Sequence, residues 1–196
     1  MNVVNVSEEY VLADYYLSNL RDYNRQKDRL YFNENVNRLA QILTWEFSKI
    51  IEYKKEYVST PFSSYERLVP ASSMIPCEKT AFCTCEKDTK GVRNAILSEE
   101  LTCENKVLVI TESLMTSASS LLSCLREVIK RGRPSNIVVL NLLSTRLAIE
   151  NIEKFGIDIK LNIVLYTCGI DDFTPGIKGT IPGLGDVGDL LYGLKK

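Results

Sequence analysis

Lys106-Val107-Leu108-Val109-Ile110 and, about 25 residues on, Ile137-Val138-Val139-Leu140 are the runs that decide the fold. Each is short, continuous and rich in β-branched residues, the pattern of a strand buried on both faces. Between them lie a polar turn and a helical run from about Ser119 to Lys130, closed by Gly132. A buried strand, a helix and a second buried strand form a βαβ unit, which implies a parallel pair and a right-handed crossover.

Outward from this unit the alternation repeats once, with a helix expected from about Thr145 to Lys154 and a strand over Ile159 to Cys168. Toward the N-terminus, Asn2 to Val6 reads as a short β-prone arm. Ser7, followed by Glu8 and Glu9, offers an N-cap and an acidic first turn to a helix carrying Val11, Leu12, Tyr15 and Leu20. Asn33 reads as the cap of a second helix, in which Val36, Leu39, Ala40, Leu43, Phe47 and Ile50 recur at three- and four-residue steps. From Glu56 to Ile96 short extended pieces are broken by Pro61, Pro70, Pro76 and Gly91, with strands expected at Tyr57–Thr60, Leu68–Val69 and Thr80–Cys85. The expected class is α/β: a mostly parallel sheet flanked by helices, one domain over 1–196, with a helical arm at 1–55 and the α/β core at 56–196.

The chain has 196 residues, 45% of them hydrophobic, enough for one sizeable core. A net charge of −1 gives no sign of a general nucleic-acid or membrane surface. Arg126, Lys130, Arg131 and Arg133 form the densest basic cluster, and a helix C-terminus accounts for them more simply than an RNA contact does. The absence of histidine removes Ser-His and Cys-His nucleophile systems and the commonest metal ligand. The six cysteines lack paired Cys-x-x-Cys spacing, and no signal peptide or long apolar run is visible, so a reduced, cytoplasmic protein is expected. Cys83 and Cys85 alternate as on one face of a strand, a simpler reading than a zinc site.

Two loops carry the chemistry. Thr111-Glu112-Ser113-Leu114-Met115-Thr116-Ser117-Ala118-Ser119-Ser120 feeds the helix of the βαβ unit, where open sheets collect ligands. Its amides and the hydroxyls of Thr116, Ser117, Ser119 and Ser120 suit a phosphate, while ordinary helix capping explains the same residues. The second loop is Thr180-Ile181-Pro182-Gly183-Leu184-Gly185-Asp186-Val187-Gly188-Asp189. Its glycines permit positive φ and close backbone approach, as a loop needs if its own N–H and C=O groups are to read a flat polar ring.

This second loop resembles the base-recognition loop of the uracil phosphoribosyltransferases, through Pro182-Gly183-Leu184-Gly185-Asp186 and Gly188-Asp189. Asn2-Val3-Val4-Asn5, Leu20-Arg21-Asp22, Phe32-Asn33 and Thr60-Pro61 are similar, in order, to the family's opening arm, its Leu-Arg-Asp element, its long helix and the Thr-Pro at the start of its sheet. The resemblance implies a phosphoribosyltransferase-like fold, a base site at Ile181, Gly183, Gly185 and Asp186, and a 5-phosphate site at Thr116, Ser117, Ala118, Ser119 and Ser120. Asp186 is the residue it implies beside the base and ribose if transfer survives. Asp171 and Asp172 resemble an acidic pair of the family, although a solvated turn is the simpler account.

The resemblance fails at phosphoribosyl pyrophosphate. The family has an acidic residue followed by a Thr-Gly-Gly-Ser turn, and this chain places Thr111 at the acid and Ser117 and Ala118 at the glycines. Glu112 lies one position away, on the opposite face of a strand. The family's Pro-Ile-Leu-Arg-Ala-Gly turn meets Leu68-Val69-Pro70-Ala71-Ser72-Ser73-Met74-Ile75-Pro76, which has no arginine, and the Tyr before the Pro-Gly is absent. The leading expectation is a protein of this type without transferase activity that binds uracil, uridine or UMP and acts through a partner. A divergent working enzyme, using Mg²⁺ with phosphoribosyl pyrophosphate to make UMP, is the second. A non-catalytic subunit of an assembly such as a ribonucleoprotein is the third. A homodimer is implied by resemblance alone, and no membrane role is expected.

Overall fold

The computed structural model describes residues 1–50, 57–61, 79–80, 83–87, 93–97, 102–173, 180–185 and 187–192. The chain opens with β1 (Asn2–Asn5), α1 (Val6–Glu9), α2 (Val11–Arg21) and α3 (Arg29–Ser48). Strands β2 (Tyr57–Pro61), β3 (Lys79–Thr80), β4 (Cys83–Lys87) and β5 (Arg93–Leu97) follow. Next come β6 (Val107–Met115), α4 (Ser119–Ile129), β7 (Asn136–Thr145), α5 (Arg146–Ile159), β8 (Ile163–Thr167), β9 (Ile170–Phe173), β10 (Thr180–Ile181) and α6 (Val187–Tyr192).

The main sheet runs β1-β8-β7-β6-β2-β3, every pair along it parallel. β9 extends the ladder beside the end of β7 and pairs antiparallel with β10. Alternate side chains of the central strands serve two cores. Val107, Val109, Val138 and Leu140 face α2 and α3, whereas Leu108, Ile110, Ile137 and Val139 face α4 and α5. The expected α/β class and parallel βαβ pair are what the structure contains.

Several local expectations change. Tyr10 is extended (φ −125°, ψ 116°) and separates α1 from α2, so Ser7 caps nothing and donates instead to the Asn5 side chain. The break rephases the helix: Ala13, Leu17 and Leu20 turn inward, and Val11, Leu12 and Tyr15 are left exposed. The long helix starts earlier than Asn33, because the Asp28 carboxylate accepts from the Tyr31 N–H and the apolar face already includes Phe32. α5 continues to Ile159, where Lys160 takes the left-handed conformation as its C-cap and delays the next strand to Ile163. The piece expected at Thr80–Cys85 is the ends of two strands, β3 and β4, with Cys83 and Cys85 at alternate positions of the latter. Leu68–Val69 lies outside the described residues.

The largest correction concerns the polar turn after Ile110. β6 continues through it, pairing Thr111, Glu112, Leu114 and Met115 with Leu140, Asn141, Leu143 and Ser144. The Asn141 side-chain amide donates to the Glu112 carbonyl at 3.0 Å and more weakly to that of Ser113, supplying bonds where polar residues take over the strand. Among the described residues no helix is long and apolar enough to cross a membrane.

Phe47 is fully buried on α3 and meets the Tyr166 ring edge to face, centroids 6.2 Å apart. Phe47→Ala is expected to cost about 3–5 kcal/mol. Urea unfolding checks this, and a loss below about 1 kcal/mol would show that α3 does not carry this core face.

Candidate functional site

The C-terminal loop is held by one carboxylate. Asp171, on β9, is fully buried; its Oδ1 lies 2.7 Å from Arg21 Nη2, and its Oδ2 accepts from Thr180 Oγ1 at 2.9 Å and from the Gly183 N–H at 2.8 Å. The solvated turn expected here is therefore corrected for Asp171: a buried carboxylate must be paired and hydrogen-bonded, and this one is. Asp172 is solvated as expected but lies on β9 rather than in a turn, and it reaches Arg146 at 3.0 Å. A second tie comes from Gln26, whose Nε2 donates to the carbonyls of Leu20 and Leu184. Leu184 and Val187 are buried in the core with α2 and α3.

The loop takes the conformation its glycines allow. Gly183 has φ +71° and Gly185 φ +73°. A Cβ on Gly183 would collide with the Thr180 carbonyl oxygen, so only glycine fits there. Ile181 is about half exposed and Gly185 is exposed, leaving both at the surface of the loop. Gly188 and Asp189 belong to α6, and Asp186 lies outside the described residues.

The serine-rich loop follows β6. Thr116, Ser117, Ala118, Ser119 and Ser120 line a small cavity of about 130 Å³ together with Glu112, Leu114, Met115 and Leu121. Ala118 is the N-cap of α4 with φ +55°, a left-handed value that costs an L-residue roughly 1–2 kcal/mol. Its methyl is buried in the α4–α5 core, which offsets part of that strain. The Thr116 carbonyl accepts from Thr145 Oγ1, and the Ser117 carbonyl from Asn151 Nδ2 at 3.1 Å. Both carbonyls are thus taken up by Thr145, the N-cap of α5, and by Asn151 within it, while the first amides of α4 have no partner within the helix. Ser117 Oγ donates to Ser119 Oγ at 3.3 Å, so these two hydroxyls serve each other.

Midway along β6 the two positions considered for the family acid diverge. Thr111 is fully buried on the α2–α3 face, and its hydroxyl finds no hydrogen-bond partner among the described residues. Glu112, nearly buried, lines the cavity with the serine-rich loop. Thr145 joins the two loops, a role that sequence reading missed because the residue looked like an ordinary helix start. It accepts from the Ala148 N–H at 3.0 Å, donates to Thr116, and stands in register with Asp171.

The basic cluster is occupied locally. Arg126 stacks over Phe155 at 5.2 Å, Lys130 and Arg131 reach Glu127, and Arg133 donates to the carbonyls of Ile159 and Lys160 at the end of α5. Arg133 therefore caps α5 rather than α4. Burial pushes the Cys103 thiol up to about 11 and raises that of Cys168 as well, so neither is a thiolate near neutral pH.

Comparison with known proteins finds relatives of the chain. The family model for uracil phosphoribosyltransferase matches residues 68–194. The uracil phosphoribosyltransferase of Porphyromonas gingivalis is 26% identical over 221 residues, covering 100% of both chains. That of Methanothermobacter thermautotrophicus is 23% identical over 189 residues, covering 85% of each. Among solved structures, the AQ2163 protein from Aquifex aeolicus superposes with a TM-score of 0.76 at 18% identity, covering 98% of this chain and 99% of that one. The APRTase of Giardia lamblia complexed with 9-deazaadenine gives 0.55 at 11% identity, covering 74% and 84%. The chain belongs to the uracil phosphoribosyltransferase family.

Asp171→Ala removes the partner of a largely buried guanidinium and two acceptor bonds, and is expected to cost about 3–5 kcal/mol. The same change should speed amide exchange over 180–185 while exchange in β6 and β7 stays slow. Uniformly unchanged exchange would show that Asp171 does not hold the loop.

Proposed function

We propose that this member of the uracil phosphoribosyltransferase family binds uracil, or uridine and UMP through the same ring, without transferring phosphoribose. The observation that carries the reading is the contrast between its two loops. The C-terminal loop keeps Gly183 and Gly185 at positive φ, tied through Gly183 to a buried carboxylate, and Ile181 and Gly185 lie at its surface. Uracil alternates acceptors and donors along its edge, so a preformed backbone loop can select it and reject a ring that leaves loop groups unpaired. Asp186 completes this site in the proposal.

The serine-rich loop supports the other half. Phosphoribosyl transfer needs positioning and charge compensation at pyrophosphate more than acid-base chemistry. Thr111 brings a buried, uncharged hydroxyl where the family acid would hold the ribose, and Ser117 and Ala118 replace two glycines whose freedom lets several amides converge on one phosphate. Among the described residues no group of three His, Cys, Asp or Glu is placed to hold a metal. In the proposal the protein then acts through a partner that senses the base-bound state.

Glu112 favours a second reading, a divergent active enzyme. It brings a carboxylate to the cavity of Thr116–Ser120, where it could take the ribose hydroxyls in place of the missing acid. Conversion of labelled uracil and Mg²⁺-phosphoribosyl pyrophosphate to UMP separates the two. The proposal expects none above an enzyme-free blank. Conversion that disappears in Glu112→Gln would overturn it in favour of the second reading.

A further inference from the structure

The serine-rich loop offers a bound phosphate no positive side chain: the described residues that line its cavity include the Glu112 carboxylate and no lysine or arginine. Arg146, to which the resemblance assigns no role, brings a guanidinium to the same end of the sheet. It opens α5 directly after Thr145, whose hydroxyl holds the Thr116 carbonyl. Its Nε donates to Asp172 Oδ1 at 3.0 Å, and Asp172 stands opposite Ile181 in the β9–β10 pair. Residues directly opposite in antiparallel strands share a face, so Ile181, Asp172 and Arg146 form one patch at the edge of the C-terminal loop. The guanidinium thus belongs to the surface of one loop and is one residue removed from the tie to the other.

We propose that Arg146 reads the phosphate of the ligand, which makes that ligand a pyrimidine nucleoside monophosphate in preference to the free base or the nucleoside; this rests on the C-terminal loop holding the ring, as proposed above. Among the described residues only Nε is engaged, so both terminal nitrogens remain to donate, and an arginine fork matches two phosphate oxygens. The side chains of Arg146 and Asp172 are 73% and 72% exposed, so their ion pair is weak and a phosphate displaces the carboxylate at little cost. Arg21 has no such freedom, because it is committed to the buried Asp171. A single exposed arginine adds to a ligand already anchored by its ring and does not hold a phosphate alone, so phosphoribosyl pyrophosphate, which carries no base, gains little from it.

Calorimetry on the full chain at low salt with uracil, uridine and UMP tests the assignment. UMP is expected to bind about tenfold more tightly than uridine, the scale of a charge-assisted hydrogen bond. Arg146→Gln should remove that preference, and Arg146→Lys, which keeps the charge without the fork, should retain part of it. Asp172→Asn frees the guanidinium and should tighten UMP binding, a gain that misfolding cannot produce. Equal affinity for UMP and uridine in the unaltered chain overturns the assignment and leaves ring binding standing, as does a preference for UMP that survives Arg146→Gln or a loss of both ligands alike in that variant. Silence from all three ligands is the distinct outcome that removes ring binding itself and the assignment with it.

Discussion

A charge buried at Asp171 is the constraint on which the arrangement of the two ends of the chain depends. An unpaired carboxylate in that position would cost several kcal/mol, and the structure meets the demand from three directions. The guanidinium comes from the end of α2, the hydroxyl from β10, and the amide from the Gly183 turn. Satisfying one group thus fixes where the N-terminal helix lies, where β10 pairs and which way the C-terminal loop faces. The arm is part of the candidate base site, since Arg21 and Gln26 hold what the sheet alone would leave loose.

The serine-rich loop is built on a different principle. Its carbonyls are pinned from below by Thr145 and Asn151, and its turn is completed by an alanine in a conformation that glycine adopts freely. These bonds and the left-handed Ala118 hold the turn without a glycine. The departure that the resemblance implies lies midway along β6. Thr111 adds a hydroxyl where a carboxylate is expected, and the carboxylate that is present, Glu112, belongs to the opposite face of β6.

Much of the fold was legible because the central strands are continuous apolar runs and the helices between them are periodic. Val107–Ile110 and Ile137–Leu140 specify buried parallel strands almost without context. Where hydrophobicity stops, so did the reading: β6 runs five residues past Ile110 because Asn141 bonds its backbone, which no periodicity reveals. The α2 face was misread because one extended residue, Tyr10, resets the helical phase. At the site, local chemistry was visible and long-range chemistry was not. Gly183 and Gly185 announced positive φ, whereas Asp171 looked like one of two solvated carboxylates, because its arginine lies 150 positions away in sequence. The order of the Leu20-Arg21-Asp22 element ahead of the sheet was the one available hint.

The central claim is that base recognition and phosphoribosyl pyrophosphate recognition have parted company in this chain. Calorimetric titration of the purified protein with uracil, UMP and Mg²⁺-phosphoribosyl pyrophosphate in turn tests it most directly. The account predicts saturable heat with uracil or UMP and none with phosphoribosyl pyrophosphate. Saturable binding of phosphoribosyl pyrophosphate, or silence from uracil and UMP alike, would contradict it.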